Sequence, residues 1–143
     1  MKRRSHLRTE AWLLTGISSI PGALRLSGGR LSFTAFGAGN CGRRKLRKLE
    51  AETGQEGLAK RLGDDEHAVV FDVPLADVQE ATFPWYYFTG GVKLTLDGAR
   101  YRFGFARPAN TKLPSDGLGL DDIAKARRSG KAWKAVLSER SNG

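Results

Sequence analysis

Apolar and polar residues alternate along two neighbouring stretches in the second half of the chain. Val92, Leu94 and Leu96 alternate with polar residues in the first stretch, and Tyr101 and Phe103 do so in the second. A period of two is typical of strands that bury one face. The Asp-Gly pair between the two stretches is a strong signal for a tight hairpin. With a two-residue loop, Leu94 lies opposite Tyr101 and Val92 opposite Phe103, so the pattern predicts one continuous apolar face.

The same pattern predicts a second hairpin earlier in the chain. Leu24 and Leu26 alternate with polar residues before a Gly-Gly pair, and Leu31 and Phe33 do so after it. A two-residue Gly-Gly loop pairs Leu26 with Leu31 and Leu24 with Phe33. The two hairpins together predict an antiparallel sheet with a consistent buried side.

Three further segments have the character of strands. The first strand is expected over residues 12–20, where Pro21-Gly22 ends it. Another is expected over 69–73 and is followed by a corner at Pro74, because proline cannot donate a hydrogen bond to a ladder. A strand then resumes over 78–83, so the sequence predicts about seven antiparallel strands in all.

Residues 37–66 interrupt this pattern with a helical insert, expected at about 42–62. Helix-forming residues fill its first half, where Leu46 and Leu49 lie on one side. Because many cations surround only these two leucines, we expect a solvated insert that the sheet does not need. Its cations are Arg43, Arg44, Lys45, Arg47 and Lys48.

The chain closes with an amphipathic helix, expected over residues 121–137. One apolar stripe runs along it at spacings of three and four residues. The stripe consists of Leu120, Ile123, Ala126, Gly130, Trp133 and Leu137. Such a stripe predicts a helix that packs against the sheet, with Trp133 in the core.

The length of 143 residues fits one domain. We assign residues 1–10 to a basic arm and residues 11–138 to a single domain that carries the insert at 37–66. Residues 139–143 form a short tail.

Candidate chemistry is sparse. Cys41 is the only cysteine, and His6 and His67 lie far from it in the sequence. This set has neither the pairing of a nucleophile with a base nor the spacing of metal ligands. No apolar run reaches the roughly 20 residues of a membrane-spanning helix. We therefore expect a cytoplasmic protein that is not an enzyme and that uses no metal or cofactor.

The net charge of +9 is unevenly spread along the chain. Residues 1–10 carry +3, residues 41–62 carry +4 and residues 121–143 carry +3, whereas residues 67–120 sum to zero. Positive charge thus lies on the arm and the helices rather than on the strands. One interpretation is a soluble, solvated surface. The others are attraction to an anionic membrane surface or to nucleic acid.

Three stretches, taken in order, resemble a known family. Residues 28–33 hold a turn and an Arg-Leu-Ser-Phe strand, residues 71–78 hold a Pro-Leu corner, and residues 93–103 hold the hairpin that precedes the last helix. This order is similar to that of GRAM-type domains and their small bacterial relatives, within the pleckstrin-homology-like barrels. The resemblance covers residues 12–36 and 69–137 and leaves the insert outside it.

The resemblance implies a partly open antiparallel barrel whose mouth is closed by the C-terminal helix. It also implies a module that binds phosphoinositides or other acidic lipids, or a protein partner. In the lipid-binding members, a basic cluster in the loop between the first two strands holds the phosphates. The corresponding loop here is expected at residues 18–22 and contains no Lys or Arg.

The candidate lipid- or anion-binding residues are therefore cations from elsewhere in the chain. They comprise the five cations of the insert together with Lys93, Arg100 and Arg102 of the hairpin. In the predicted register Lys93 lies opposite Arg102, and directly opposed like charges destabilise a sheet unless an anion or a carboxylate lies between them.

A run of aromatic residues supports a second function. Trp85, Tyr86 and Tyr87 are consecutive within residues 83–88, so on a strand they cannot all face the core. An exposed aromatic side chain can anchor a protein partner. Peripheral attachment to acidic lipid and protein interaction through this segment are therefore the two alternatives. Nucleic-acid binding ranks last, because the aromatic residues of the hairpin share its apolar face.

Overall fold

In the part of the chain that the structure describes, one antiparallel sheet of seven strands forms the frame. The computed structural model describes residues 6–15, 18–83, 91–96, 98–105 and 120–139, and in the last of these ranges it describes the side chains of 125–137. The strands are β1 (Leu7–Thr15), β2 (Ser18–Ser27), β3 (Arg30–Ala35), β4 (Ala68–Pro74), β5 (Val78–Thr82), β6 (Gly91–Leu96) and β7 (Ala99–Gly104). The helices are α1 (Arg43–Thr53), α2 (Leu58–Gly63) and α3 (Leu120–Glu139).

The strand order in the sheet is β4-β3-β2-β1-β7-β6-β5, and each neighbouring pair is antiparallel. The sheet curls into a half-barrel, and α3 is the C-terminal helix. The predicted fold class is confirmed: mainly β, a partly open antiparallel barrel with a C-terminal helix and a helical insert.

Both predicted hairpins are confirmed in their registers. In the β6–β7 hairpin Val92 pairs with Phe103 and Leu94 with Tyr101. In the β2–β3 hairpin the apolar residues also pair across the strands, and Gly28 and Gly29 form the turn with φ of 60° and 77°. These left-handed values are easily adopted only by glycine, which explains the Gly-Gly pair at this turn.

The core lies between the two halves of the curled sheet. The rings of Phe33 in β3 and Phe103 in β7 have centroids 4.8 Å apart, and those of Phe71 in β4 and Tyr101 in β7 are 5.3 Å apart. All four side chains are buried. Because β3 and β4 belong to one half and β7 to the other, these contacts hold the sheet in its curled form.

The predicted first strand, residues 12–20, is wrong at both ends. The chain forms β1 from Leu7, reverses between Thr15 and Ser18, and continues as β2. Residues 7–10 of the predicted basic arm therefore belong to the sheet. The residues that β1 directs toward the core begin with Leu7. Arg8 and Glu10 alternate with these residues and are exposed, so this part of the strand has the composition of a polar arm.

Pro21-Gly22 does not end a strand, because both residues lie within β2. The β2–β3 ladder reaches Gly22 opposite Ala35, and beyond it the Phe36 backbone nitrogen still donates to the Pro21 carbonyl at 2.8 Å. Proline has no backbone N–H group, so the sheet lacks only this one hydrogen-bond donor at position 21. A side chain at Gly22 would collide with the Phe33 ring, so glycine permits this ring to pack against the strand.

The predicted corner at Pro74 is confirmed. Pro74 ends β4, a single 3₁₀ turn follows at Leu75–Asp77, and β5 begins at Val78. The Leu75 backbone nitrogen donates to the Gly29 carbonyl at 2.9 Å, which attaches this corner to the β2–β3 turn.

The prediction that the insert is solvated and not needed by the sheet is wrong. Leu46 and Leu49 of α1 and Leu58 and Leu62 of α2 are buried and belong to the same core cluster as the sheet. The Glu50 carboxylate accepts a hydrogen bond from the Ala59 backbone nitrogen at 2.9 Å, which joins α1 to α2. The helices α1 and α2 contribute two buried leucines each. The apolar surface of the insert is therefore larger than the two leucines of α1 alone indicate.

The C-terminal helix follows its predicted stripe. Within the described side chains, Ala126, Gly130, Trp133 and Leu137 are buried, and Trp133 is fully inaccessible to solvent. The side chains of the first two members of the stripe lie outside the described part of the chain. The helix begins at Leu120, close to the predicted start.

Candidate anion-binding end of the barrel

The loop that leads into α1 is attached to the end of the barrel where β1 and β2 meet. The backbone nitrogen of Ser19 donates to Asn40 Oδ1 at 2.8 Å, and the Asn40 nitrogen donates to the Ser19 carbonyl at 3.4 Å. Next to Asn40, the Cys41 Sγ lies 3.2 Å from the Thr15 Oγ1. Gly39 permits this approach, because a side chain there would collide with the Ser19 carbonyl oxygen. Helix α1 therefore begins beside the β1–β2 turn.

Lys45 fixes the position of α1 at this turn. Its ammonium group donates to the Thr15 carbonyl at 2.7 Å and to the Ser18 Oγ at 3.2 Å. Thr15 ends β1 and Ser18 begins β2, so one side chain joins the two ends of the turn. The predicted β1–β2 loop at residues 18–22 is thus the wrong segment. The true turn contains no Lys or Arg, and Lys45 of the insert brings the positive charge there.

The other cations of α1 face solvent. Leu46 and Leu49 are buried on the opposite side of the helix, and Lys45 is half-buried at the turn. The exposed cations are Arg43, Arg44, Arg47 and Lys48. Within the described ranges, none of these four is paired with a carboxylate.

The order of charges along α1 is unfavourable for an isolated helix. Its first turn contains no acidic residue and holds Arg43, Arg44 and Lys45. The N-terminal end of a helix carries a partial positive charge, which favours anions there rather than cations. An anion bound at this end would reduce both the repulsion between the cations and their repulsion by the helix dipole.

The cations of the hairpin lie at the same end of the sheet. Arg102 lies beside Leu14 in the β1–β7 ladder, one residue before β1 ends. Arg100 is two residues nearer the start of β7, and both arginines are exposed. The predicted opposition of Lys93 and Arg102 is confirmed by the register, with Lys93 half-buried. The exposed arginines of the hairpin and the cations of α1 therefore share the end of the barrel that contains the β1–β2 turn.

The exposed charged residues named at this end are all cations: Arg43, Arg44, Arg47, Lys48, Arg100 and Arg102. In the ranges that the structure describes, no three His, Cys, Asp or Glu side chains are grouped so that they could hold a metal ion. Among the described helices, none is long and apolar enough to cross a membrane.

The predicted aromatic binding segment at residues 83–88 lies outside the described residues except for Phe83. Trp85, Tyr86 and Tyr87 lie outside the described residues. Phe83, just before them, is half-buried and packs against the core.

Sequence reasoning missed the residues that attach the insert to the barrel. Asn40, Thr15 and Ser18 act through hydrogen bonds to positions 21–30 residues away. The only local indication of this attachment in the sequence was the Gly39-Asn40 pair, because glycine and asparagine are frequent in turns that require a positive φ angle. Gly39 has φ of 61°, which fits that signal.

The fold of the described residues is mainly β, a curled antiparallel sheet with a C-terminal helix. The strand order, the curled sheet and the C-terminal helix are consistent with a pleckstrin-homology-like barrel. Comparison of the chain with protein-family models, with curated proteins and with solved structures finds no match.

Proposed function

We propose that this protein is a non-enzymatic module of the GRAM type that attaches to anionic membrane surfaces from the cytoplasmic side. The observation that carries the proposal is the position of α1. Lys45 holds this helix beside the β1–β2 turn, so its four exposed cations lie at the end of the barrel that also contains Arg100 and Arg102.

The magnitude of the attraction fits peripheral binding. Each Lys or Arg near an anionic lipid surface contributes about 1 kcal/mol, and this attraction decays over a Debye length of about 10 Å at 0.1 M salt. Six exposed cations at one end therefore give an attraction that is useful at low salt and weak at high salt. Because Leu46 and Leu49 are buried in the core, α1 has no free apolar face to insert, and the binding is electrostatic.

Co-sedimentation with vesicles tests the proposal. We expect the wild-type protein to sediment with phosphatidylcholine vesicles that contain phosphatidylserine, to stay in solution with phosphatidylcholine alone, and to dissociate as salt is raised. A variant in which Arg43, Arg44, Arg47 and Lys48 are replaced by Gln should bind more weakly by up to about a thousandfold at low salt, because it loses four charges that each contribute about 1 kcal/mol. Lys45 is left in place because it supports the fold.

The matched control keeps the charge at the same positions. Exchanging Arg for Lys at 43, 44 and 47 and Lys for Arg at 48 should preserve binding, because an electrostatic surface responds to charge rather than to side-chain shape. Failure of the wild type to bind anionic vesicles would refute the proposal. A pulldown with Trp85 and Tyr86 changed to Ser would then test the alternative of protein interaction.

Double-stranded DNA in the same buffer separates a membrane from a nucleic-acid partner. Both partners carry phosphate charge and both bind less tightly as salt rises. Tighter binding to DNA than to the anionic vesicles would contradict the membrane proposal.

A further inference from the structure

The exposed side of α3 is a second basic surface. Between residues 125 and 137 the chain contains five cations and no acidic residue. Its exposed charged residues are Lys125, Arg127, Arg128, Lys131 and Lys134. Within the described part of the chain, none of these cations forms an ion pair. The opposite side of the helix, with Trp133 and Leu137, is buried in the core.

The two basic helices are attached to opposite ends of β1. The Trp133 Nε1 donates to the Thr9 Oγ1 at 3.0 Å, near the start of the strand. The Lys45 ammonium donates to the Thr15 carbonyl at its other end. Six residues of extended chain separate Thr9 from Thr15, which corresponds to about 20 Å. The attachment points of α3 and α1 are therefore separated by much of the height of the barrel.

Both helices turn their apolar sides toward the same core. Leu46 and Leu49 of α1 and Trp133 and Leu137 of α3 belong to one cluster of buried residues. The charged side of each helix consequently faces away from that shared core. Since the helices are attached at opposite ends of β1, the cations of α1 and those of α3 form two separate basic surfaces.

The exposed described residues of α3 include no aromatic or large aliphatic side chain. Besides its five cations, the exposed described residue of this helix is Ala135. Binding energy at protein–protein interfaces is concentrated in a few anchors, most often Trp, Tyr or Arg, that are buried near the centre of the interface. A helix whose exposed side carries dispersed positive charge and no large apolar side chain complements an extended anionic surface instead.

We propose that α3 is a separate docking surface for a second anionic membrane, so that the protein bridges two membranes. This inference rests on the proposed function, because the first membrane is the one that the basic end with α1 binds. The six exposed cations at that end bind more tightly than the five of α3, and α3 engages a second surface once the protein has been concentrated on the first.

Vesicle clustering tests the proposal and separates it from simple attachment. Phosphatidylserine-containing vesicles are mixed with the wild-type protein at low salt, bound protein is measured by sedimentation, and vesicle size is followed by dynamic light scattering. We expect the wild type to bind and to increase the apparent size severalfold. A variant with Lys125, Arg127, Arg128, Lys131 and Lys134 changed to Gln should keep its binding within about twofold and lose the size increase.

Two controls address folding and specific side-chain effects. A variant that exchanges Lys and Arg at the same five positions should cluster vesicles like the wild type. The Gln variant should keep the cooperative thermal unfolding of the wild type, because the substituted side chains are exposed and Gln has a helix propensity similar to that of Lys and Arg. If it does unfold, a variant changed only at Arg127, Lys131 and Lys134 carries the same test.

Each of the other possible results of the clustering experiment has a different consequence for the two proposals. Binding of the wild type without any increase in vesicle size would overturn the bridging proposal and leave the proposed function intact. Clustering by the Gln variant at wild-type strength would also overturn it, because the contact between vesicles would then come from another part of the protein. Absence of wild-type binding would refute both proposals.

Discussion

The indole nitrogen of Trp133 donates a hydrogen bond to the hydroxyl oxygen of Thr9 at 3.0 Å, across 124 positions of sequence. This contact joins the last helix to the first strand. Trp133 is fully inaccessible to solvent, and Thr9 is half-buried on the inward side of β1. Helix α3 is therefore held by both an apolar anchor and a polar one, which fixes its rotation and its position along the barrel.

Removal of the apolar anchor should be costly. We expect Trp133→Ala to lower the free energy of unfolding by about 3–5 kcal/mol, since it leaves a large cavity in the core. The neighbouring Lys134→Ala, which alters an exposed side chain, should change it by less than about 0.5 kcal/mol. Urea denaturation of the two variants provides the measurement, and equal midpoints would show that α3 does not complete the core.

The polar anchor can be tested separately at Thr9. Thr9→Val keeps the shape of the side chain but removes the acceptor, so the buried indole N–H is left without a partner. A loss of about 1–3 kcal/mol in unfolding free energy is expected. Thr9→Ser retains the hydroxyl and is the control. If the Val variant proves as stable as the Ser variant, the hydrogen bond contributes nothing to the attachment of α3.

Lys45 should differ from the other cations of α1 in its effect on stability. Lys45→Met should lower the free energy of unfolding by about 1–2 kcal/mol, because the Thr15 carbonyl and the Ser18 hydroxyl lose a charged donor. Lys48→Met, at an exposed position on the same helix, should change stability by less than about 0.5 kcal/mol. Thermal unfolding of both variants gives the comparison. A Lys48 variant that is destabilised as much as the Lys45 variant would argue against a structural role specific to Lys45.

The insert should behave as part of the core. Leu62 is fully buried, so Leu62→Ala should destabilise the whole domain by about 2–5 kcal/mol. Lys60→Ala on the same short helix is exposed and should have an effect below about 0.5 kcal/mol. Near-UV circular dichroism during urea denaturation reports on the aromatic core. Unchanged unfolding of this core in the Leu62 variant would mean that the insert folds independently of the barrel.

The sequence by itself determined the parts of the protein that depend on neighbouring residues. The alternation around Leu94 and Tyr101, with a two-residue turn between the strands, leaves one register that keeps every apolar residue on one face. The stripe that contains Trp133 defines the buried side of α3 in the same local way, because residues three and four apart lie on one side of a helix. The fold class followed from these repeating patterns.

Only the tertiary structure decided how the insert and the first strand are used. Leu46 and Leu49 form only a narrow apolar strip on α1. They become core residues because α2 and the sheet cover them. Thr9 lies in a segment with the composition of a polar arm, and its hydroxyl gains a structural role from Trp133 at the far end of the chain. Lys45 is one of five similar cations in sequence, and only the folded chain brings its ammonium group to the β1–β2 turn. Such long-range contacts leave no periodic signal, because each depends on where the rest of the chain has already packed.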